Sequence, residues 1–311
     1  MRKKISVVVP CYNDSRSIRN MRDRIKTVFI NELQNYDYEI IYSDDCSPDD
    51  TWDEIEKICK EDSKCKGVHN FTNFGPDRNI FQSMKYGYGD AVFMIFGDLQ
   101  QPPEALPEFV KYWEEGYDTV IGIHENTKDK GLLSICRKFY YWFSIRASNN
   151  RLIANFDNFG LYDKGVIDAI RSIENVQPSV PGILAEYGGK IKRVMVEQNE
   201  SERGKSNFNF FRKYDVAMVN ITSYTKILLR AATFIGSIVG LLSIIFAFAT
   251  VVLKVLYWDS YPMGIPSIIA GIFFLGGIQL FFLGIMGEYI MSINERSMKK
   301  PTVVCDKTIN M

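Results

Sequence analysis

Short apolar runs alternate with amphipathic stretches over residues 5–123. Apolar runs without polar alternation predict strands covered on both faces, whereas apolar residues recurring every three or four positions predict helices. The predicted strands are 5–9, 39–42, 67–69, 91–96 and 119–123. The predicted helices lie at about 15–29, after residue 50, at about 77–88 and at 104–113. This β–α alternation predicts an α/β fold with a mostly parallel sheet and helices on both of its faces.

Residues 231–253 and 265–287 form two stretches of 23 residues without a charged side chain. At 1.5 Å per residue, a helix of this length extends about 34 Å, which exceeds the roughly 30 Å of a bilayer's hydrocarbon core. Two core helices of a soluble protein are the alternative, but such helices need a polar face that these stretches lack. We therefore predict a transmembrane hairpin over 226–300, with its linker at 254–264.

Positive charges flank the hairpin, whereas its linker carries one cation, Lys254. The flanking cations are Arg203, Lys205, Arg212, Lys213, Lys226 and Arg230 before the first span, and Arg296, Lys299 and Lys300 after the second. Because positively charged segments stay in the cytoplasm, both termini are predicted to be cytosolic. The predicted organisation is a cytosolic domain over 1–225, the hairpin over 226–300 and a cytosolic tail over 301–311, in a multi-pass protein of the cytoplasmic membrane.

Two segments of the predicted cytosolic domain, 131–151 and 206–225, mix aromatic residues with cations. This composition predicts helices in the membrane interface, and ordinary surface helices are the alternative. Within the first span, Gly236 and Gly240 have the spacing of a helix–helix contact. They favour either a homo-oligomer or close packing inside the hairpin.

Composition excludes several classes of function. Lysine plus arginine and aspartate plus glutamate both number 37, so the chain lacks the basic excess typical of nucleic-acid binding. The six cysteines form no C-x-x-C pair and there are two histidines, which excludes a disulfide framework and a multi-histidine metal site. The glycine patterns of dinucleotide-binding and P-loop proteins are missing, so side chains and a metal would have to hold any nucleotide.

Polar residues follow two of the predicted strands closely. Asp98 and Gln100 come after strand 91–96, and the adjacent carboxylates Asp44 and Asp45 come after strand 39–42. Open α/β sheets bind ligands at the carboxyl ends of their strands. Adjacent carboxylates repel each other unless hydrogen-bond donors or a cation neutralise them. A divalent cation, sugar hydroxyls or a nucleobase N–H would suit these positions, whereas Ser47 and Asp49 suit the cap of the next helix.

Four motifs stand in a characteristic order at 7–14, 44–51, 73–75 and 98–104. In them the chain resembles the family 2 inverting glycosyltransferases. It is most similar to the polyprenyl-phosphate type, that is, dolichyl-phosphate mannose synthases and bacterial undecaprenyl-phosphate glucosyltransferases, the latter with a C-terminal two-helix hairpin. The resemblance implies a GT-A fold, Rossmann-like, and inverting transfer of a hexose from a nucleotide-diphosphate sugar, a UDP-sugar by preference, to undecaprenyl phosphate. The product would be a lipid-linked sugar for modification of a cell-envelope glycan.

The resemblance also implies roles for individual residues. Asp98 and Gln100 would hold Mg²⁺ or Mn²⁺ beside the diphosphate, and Asp98, Asp157 and Asn158 would form the catalytic region. The implied nucleotide-sugar residues are Pro10, Tyr12, Asp14, Asp44, Asp45, Asn73, Arg78 and Gln100. Arg203, Lys205 and Ser206 would receive the acceptor phosphate, although cations there also suit anionic lipid headgroups.

The chain departs from the family pattern at five positions. Phe96 replaces the first acid of Asp-x-Asp, and the other departures are Thr72, Gln101, Asn158 and Pro181. A lipid phosphate arrives ionised and needs no base to deprotonate it. The loss of an acid at position 158 therefore lowers catalytic activity less than it would with a hydroxyl acceptor. Two alternatives remain, namely transfer to a hydroxyl of a glycolipid or polymer, and a nucleotide-binding scaffold without turnover.

Overall fold

The computed structural model describes residues 2–123, 156, 158–174, 179–197, 227–257, 264–298 and 300–311. The chain divides into two compact units. One comprises Met1–Lys213 together with Met298–Met311, and the other comprises Tyr214–Ser297. The C-terminal tail, predicted only as a cytosolic extension, therefore belongs to the same unit as the N-terminal domain.

The first unit contains an eight-stranded sheet. Its strands are β1 (Lys4–Cys11), β2 (Asp37–Asp44), β3 (Cys65–Asn70), β4 (Ala91–Met94), β5 (Thr119–Ile123), β6 (Gly160–Asp163), β7 (Ile191–Met195) and β8 (Cys305–Ile309). Their order across the sheet is β7-β5-β6-β4-β1-β2-β3-β8. The pairs β1–β2, β1–β4, β2–β3 and β5–β7 are parallel, whereas β6 and β8 run antiparallel to their neighbours. The prediction of a mostly parallel sheet is confirmed.

Helices cover both faces of this sheet. They are α1 (Ile18–Asn31), α2 (Thr51–Glu61), α3 (Pro76–Met84), α4 (Leu106–Glu114), α5 (Lys164–Ser172) and α6 (Val180–Tyr187). Strand β1 shows how the two layers form. Val7 and Val9 enter one buried cluster with α1, α2 and α4, while Val8 enters the other with α3, α5 and α6. Because both faces are buried, the strand is apolar at successive positions, as its sequence indicates.

Three element boundaries differ from the predictions. Strand β4 ends at Met94, although Ile95 is fully buried and its N–H donates to the carbonyl of Val8. A 3₁₀ turn, Pro103–Ala105, precedes α4. The helix predicted at 104–113 therefore begins at Leu106, two residues later than predicted. The predicted helix at 77–88 ends at Met84.

The second unit contains the long helices α7 (Ile227–Leu256) and α8 (Ile265–Ser297). Among the described residues, one segment, Phe274–Asn294, is long and apolar enough to cross a membrane, and none of it is buried. In α7 the apolar segment that stands out is the shorter Thr233–Ser243. A two-span hairpin therefore stays a prediction. The predicted interface segments 131–151 and 206–225 lie outside the described residues.

Candidate active site

The carboxyl ends of β1, β2 and β4 meet the start of β6 at one edge of the sheet. Four residues there have a positive φ that is unusual for a side chain other than glycine: Asn13 (58°), Cys46 (54°), Leu99 (59°) and Asn158 (69°). Such conformations are strained, and they cluster at sites where a loop must present particular groups. The backbone thus singles out the same edge that the polar motifs predict.

Hydrogen bonds join the loop after β1 to the loop after β2. The N–H of Asn13 donates to Ser47 Oγ at 3.0 Å, and the N–H of Asp14 donates to Thr51 Oγ1 at 2.9 Å. The Asp14 carboxylate in turn accepts from the N–H of Tyr12 at 3.0 Å. Pro10 pairs with a residue of β2 within the sheet, so the predicted residues of the first motif are held beside those of the second. The Tyr12 side chain remains 37% exposed and is available to a ligand.

Asp44 is fully buried, and protein groups surround its carboxylate. The hydroxyl of Ser47 donates to Oδ1, and His69 Nδ1 lies 2.7 Å from Oδ2. The ring of Trp52 packs on His69 with centroids 4.9 Å apart. Ser47, predicted as a helix cap, instead holds Asp44, while Asp49 accepts from the N–H of Thr51 at the first turn of α2.

Asp45 connects the end of β2 to the loop after β3. Its Oδ1 accepts from Asn70 Nδ2 at 2.9 Å and from the N–H of Phe74 at 3.0 Å, and its Oδ2 accepts from the N–H of Gly75 at 2.8 Å. Burial raises the pKa of Asp45 and is the largest influence on it. The three hydrogen bonds lower this pKa in part, and the nearby charge of Asp44 raises it slightly. A carboxylate can accept about four hydrogen bonds, so Asp45 can take one more donor.

The third motif forms a turn that depends on Gly75, which adopts a φ of 89°. Asn73 is exposed, and its side-chain oxygen accepts from the N–H of Gly75 at 2.9 Å. Arg78 lies half-buried in the first turn of α3. Both predicted residues therefore border the loop that Asp45 holds.

Asp98 lies in a tight loop after β4 and is 6% exposed. Its Oδ1 accepts from the N–H of Gln100 at 3.2 Å, and Gln100 itself is half-buried. The preceding Gly97 touches the β1 loop, because a Cβ there would lie 2.9 Å from Asp14 Oδ2. Ser17 Oγ also donates to the carbonyl of Gly97 at 2.6 Å. These contacts bring Asp98 next to the first motif.

The donor set at this edge fits a divalent cation only in part. Within the described residues, no group of three histidine, cysteine, aspartate or glutamate side chains could enclose a metal ion. Asp98 offers a carboxylate and Gln100 an amide oxygen, both of which are hard ligands. Mg²⁺ commonly takes one or two carboxylates and completes its shell with phosphate oxygens and water. The residues therefore suit a cation that a bound diphosphate carries with it.

Two of the departures from the family pattern contact each other. Phe96 packs against the apolar cluster of α3, α5 and α6, and its N–H donates to Gln101 Oε1 at 3.1 Å. Position 96 thus serves the core. Pro181 lies in the first turn of α6, where a proline is well tolerated.

Asn158 stands just before β6, at the edge that carries Asp98. Its carbonyl accepts from the Tyr162 hydroxyl at 2.7 Å, and its side-chain Oδ1 is buried and has no hydrogen-bond partner among the residues that the structure describes. Buried polar atoms are normally paired, so an orphaned oxygen at this edge is a candidate ligand group. The predicted residues Asp157, Arg203, Lys205 and Ser206 lie outside the described residues.

Comparison with known proteins bears directly on this edge. The family model described as Glycosyl transferase family 2 matches residues 6–165, which contain all four motifs. The chain belongs to this family. It is a glycosyltransferase, so the family predicted from the four sequence motifs is confirmed.

Two relatives extend the similarity over nearly the whole chain. The putative glycosyltransferase CsbB of Bacillus subtilis is 32% identical over 297 residues, covering 96% of this chain and 89% of the relative. The prophage bactoprenol glucosyl transferase homolog of Escherichia coli is 30% identical over 304 residues, covering 97% and 98%. The similarity of this family 2 member therefore includes its C-terminal helices.

A solved structure has the same fold. Glucosyl-3-phosphoglycerate synthase from Mycobacterium tuberculosis, in complex with Mn²⁺, UDP-glucose and phosphoglyceric acid, superposes with a TM-score of 0.52 at 18% identity. The match covers 71% of this chain and 78% of that one. The first unit accordingly has an α/β GT-A-like fold with a mostly parallel mixed sheet.

Proposed function

We propose that this protein transfers a hexose from a nucleotide-diphosphate sugar, a UDP-sugar by preference, to undecaprenyl phosphate with inversion of configuration. The observation that carries the proposal is the 97% coverage by a relative named as a bactoprenol glucosyl transferase homolog. Similarity of this extent includes the four motifs and the apolar C-terminal helices together. A relative that shared only the sheet-containing domain would not cover the C-terminal helices.

The donor site combines the loops that meet at the sheet edge. Asp45 would accept a nucleobase N–H at its remaining lone pair, with Asp44 behind it holding Ser47 and His69 in place. Pro10, Tyr12 and Asp14 would line the nucleoside from β1, and Asn73 and Arg78 from the loop after β3. Asp98 and Gln100 would face the diphosphate. A bound Mg²⁺ or Mn²⁺ would neutralise the charge that develops there when the sugar leaves.

The reaction requires orientation more than proton transfer. An oxygen of the lipid phosphate attacks the anomeric carbon and forms a new C–O bond. The bond from that carbon to the diphosphate oxygen breaks, and its electron pair leaves with the nucleoside diphosphate. A phosphate monoester has its second pKa at about 6, so it is largely a dianion at neutral pH and no base has to deprotonate it. Asn158, in place of an acid, is compatible with this chemistry.

The acceptor lipid requires a membrane-bound enzyme. The exposed apolar side chains of α8, such as Leu280 (70% exposed), support burial of this helix in lipid. We propose that α7 and α8 form a two-span anchor with both termini cytosolic, and that Arg203, Lys205 and Ser206 receive the lipid phosphate. A lipid-linked sugar made on the cytosolic leaflet would then serve modification of a cell-envelope glycan.

The test uses purified full-length protein in phospholipid nanodiscs with undecaprenyl phosphate and a panel of radiolabelled UDP-sugars, with Mg²⁺, Mn²⁺ or EDTA. One sugar should give a labelled lipid and an equal amount of UDP. Loss of the label on mild acid would mark a glycosyl phosphate. No labelled lipid from any sugar under any metal condition would contradict the proposal.

Hydroxyl acceptors are the competing outcome of the same experiment. If the labelled product resists mild acid and turnover depends steeply on Asp157, the acceptor is a hydroxyl that needs a base. If Asp157→Asn keeps most of the activity, the ionised phosphate is the nucleophile.

A further inference from the structure

The C-terminal residues 305–309 extend the sheet on the side of the donor site. Strand β8 pairs antiparallel with β3, with Gly67 opposite Ile309, Val68 opposite Thr308 and His69 opposite Lys307. The N–H of Phe71 donates to the carbonyl of Val304 at 2.9 Å, so the pairing continues to the end of β3. Without β8, the last residues of β3 would be an open sheet edge.

The end of the tail is fixed as well. Asn310 has a φ of 58°, and its Nδ2 donates to the carbonyls of Cys59 and Cys65 at 2.9 Å each. Ile309 packs against the main apolar cluster. The tail therefore bridges the end of α2 and the start of β3.

The residues of β3 that pair with the tail also hold the two carboxylates of the donor site. His69 lies 2.7 Å from Asp44, and it stands between Asp44 of β2 and Lys307 of β8 in one row across the sheet. Asn70, the next residue, donates to Asp45 and pairs with Cys305. A register shift between His69 and Asn70 leaves the exposed Asp306 without a paired residue.

We propose that the C-terminal strand is a positioning element of the donor site: by fixing the end of β3, it orients His69 and Asn70 toward the Asp44 and Asp45 carboxylates. This inference rests on the proposed function, because it concerns the affinity for the nucleotide sugar. Loss of the tail frees the end of β3 to fray, which weakens donor binding and leaves the acceptor unaffected.

The test compares four full-length or nearly full-length proteins in nanodiscs. They are the wild type, a chain that stops after Lys300, Asn310→Gly, and Asp306→Ala as the control at the exposed, unpaired position of β8. Asn310→Gly keeps the positive φ accessible but removes the two side-chain hydrogen bonds, so it tests the tail without shortening the chain. Calorimetry gives the Kd for UDP, and steady-state kinetics give separate KM values for donor and acceptor.

Truncation should raise the Kd for UDP and the KM for the donor about tenfold, a coupling typical of linked sites, with the acceptor KM unchanged. Asn310→Gly should fall between the wild type and the truncated chain, and Asp306→Ala should match the wild type. A synthetic peptide of residues 301–311 should restore donor affinity to the truncated protein. Hydrogen exchange should rise at 67–75 in the truncated chain.

A lower melting temperature with an unchanged Kd for UDP in both tail variants would overturn the inference, because the strand would then serve stability alone. An equal rise of donor and acceptor KM would overturn it as well. A wild-type protein that binds no UDP would refute the proposed function together with this inference. A wild type that binds UDP, with tail variants that bind equally well, would refute only the inference.

Discussion

Replacement of Asp45 by alanine tests whether this carboxylate organises the loop after β3. Two of its three donors keep another acceptor, since Gly75 N–H also donates to Asn73 Oδ1 and Asn70 Nδ2 to Asn79 Oδ1. The N–H of Phe74 loses its acceptor. One hydrogen bond to a charged group is worth about 1.5–3 kcal/mol, and weakening of the other two adds about 1 kcal/mol. Removal of a buried charge offsets part of this loss, so we expect Asp45→Ala to cost about 2–3 kcal/mol.

The assay is thermal unfolding of the full-length protein, followed by calorimetric titration with UDP. A loss of this size should lower the melting temperature by about 5–10 °C in a domain of this length, and UDP binding should weaken sharply. Asp50→Ala is the matched control, because Asp50 caps α2 without a side-chain hydrogen bond. An unchanged melting temperature would refute the structural role. Weaker UDP binding at an unchanged melting temperature would show that Asp45 contacts the nucleotide without stabilising the fold.

Three further changes test other parts of the structure. Gly97→Ala should shift the loop against Asp14 and reduce donor kcat/KM by up to about 100-fold, measured by UDP release; unchanged kinetics would show that the loop tolerates the methyl group. Phe96→Asp should lower the melting temperature without raising turnover, since position 96 packs in the core; a gain in metal-dependent turnover would contradict this. Although burial opposes ionisation of Glu39, hydrogen bonds from Lys4, Ser6 and Lys66 lower the pKa of this carboxyl below 4.5. The stabilisation that it provides is therefore present above pH 4.5 and is lost as the pH falls through the lowered pKa. Melting curves of Glu39→Gln should therefore show lower stability at neutral pH and a shallower loss in acid, and parallel curves would exclude the role.

The sequence predicts the central strands well because burial on both faces gives each of them a run of consecutive apolar residues, such as Val7–Val9 in β1 and Ile40–Tyr42 in β2. It does not predict β6 and β8 as antiparallel strands. Strand β6 is four residues long, and β8 is separated from its partner β3 by more than 230 residues, beyond any local pattern. Strand β8 is mostly exposed, so its residues carry no apolar signal either.

The strand-end acids are predictable because they interrupt apolar runs, and the structure brings Asp14, Asp44, Asp45 and Asp98 to one edge. Their supporting residues are not predictable in the same way. His69 resembles any residue of a short strand, and only its 2.7 Å approach to Asp44 gives it a role. The positive φ of Asn13 likewise goes with a contact that no local pattern shows, since its N–H donates to Ser47 Oγ in a loop more than 30 residues away.

In the proposed function, Asp98 supports transfer of a hexose to a lipid phosphate at this edge. The most direct measurement is the formation of labelled undecaprenyl-phosphate sugar by Asp98→Ala in nanodiscs, with Glu32→Ala as the control at the far end of α1. We expect Asp98→Ala to lose transfer while its melting temperature stays near that of the wild type, and Glu32→Ala to retain full activity. Turnover of Asp98→Ala at the wild-type rate, with the same dependence on metal, would contradict this role of Asp98.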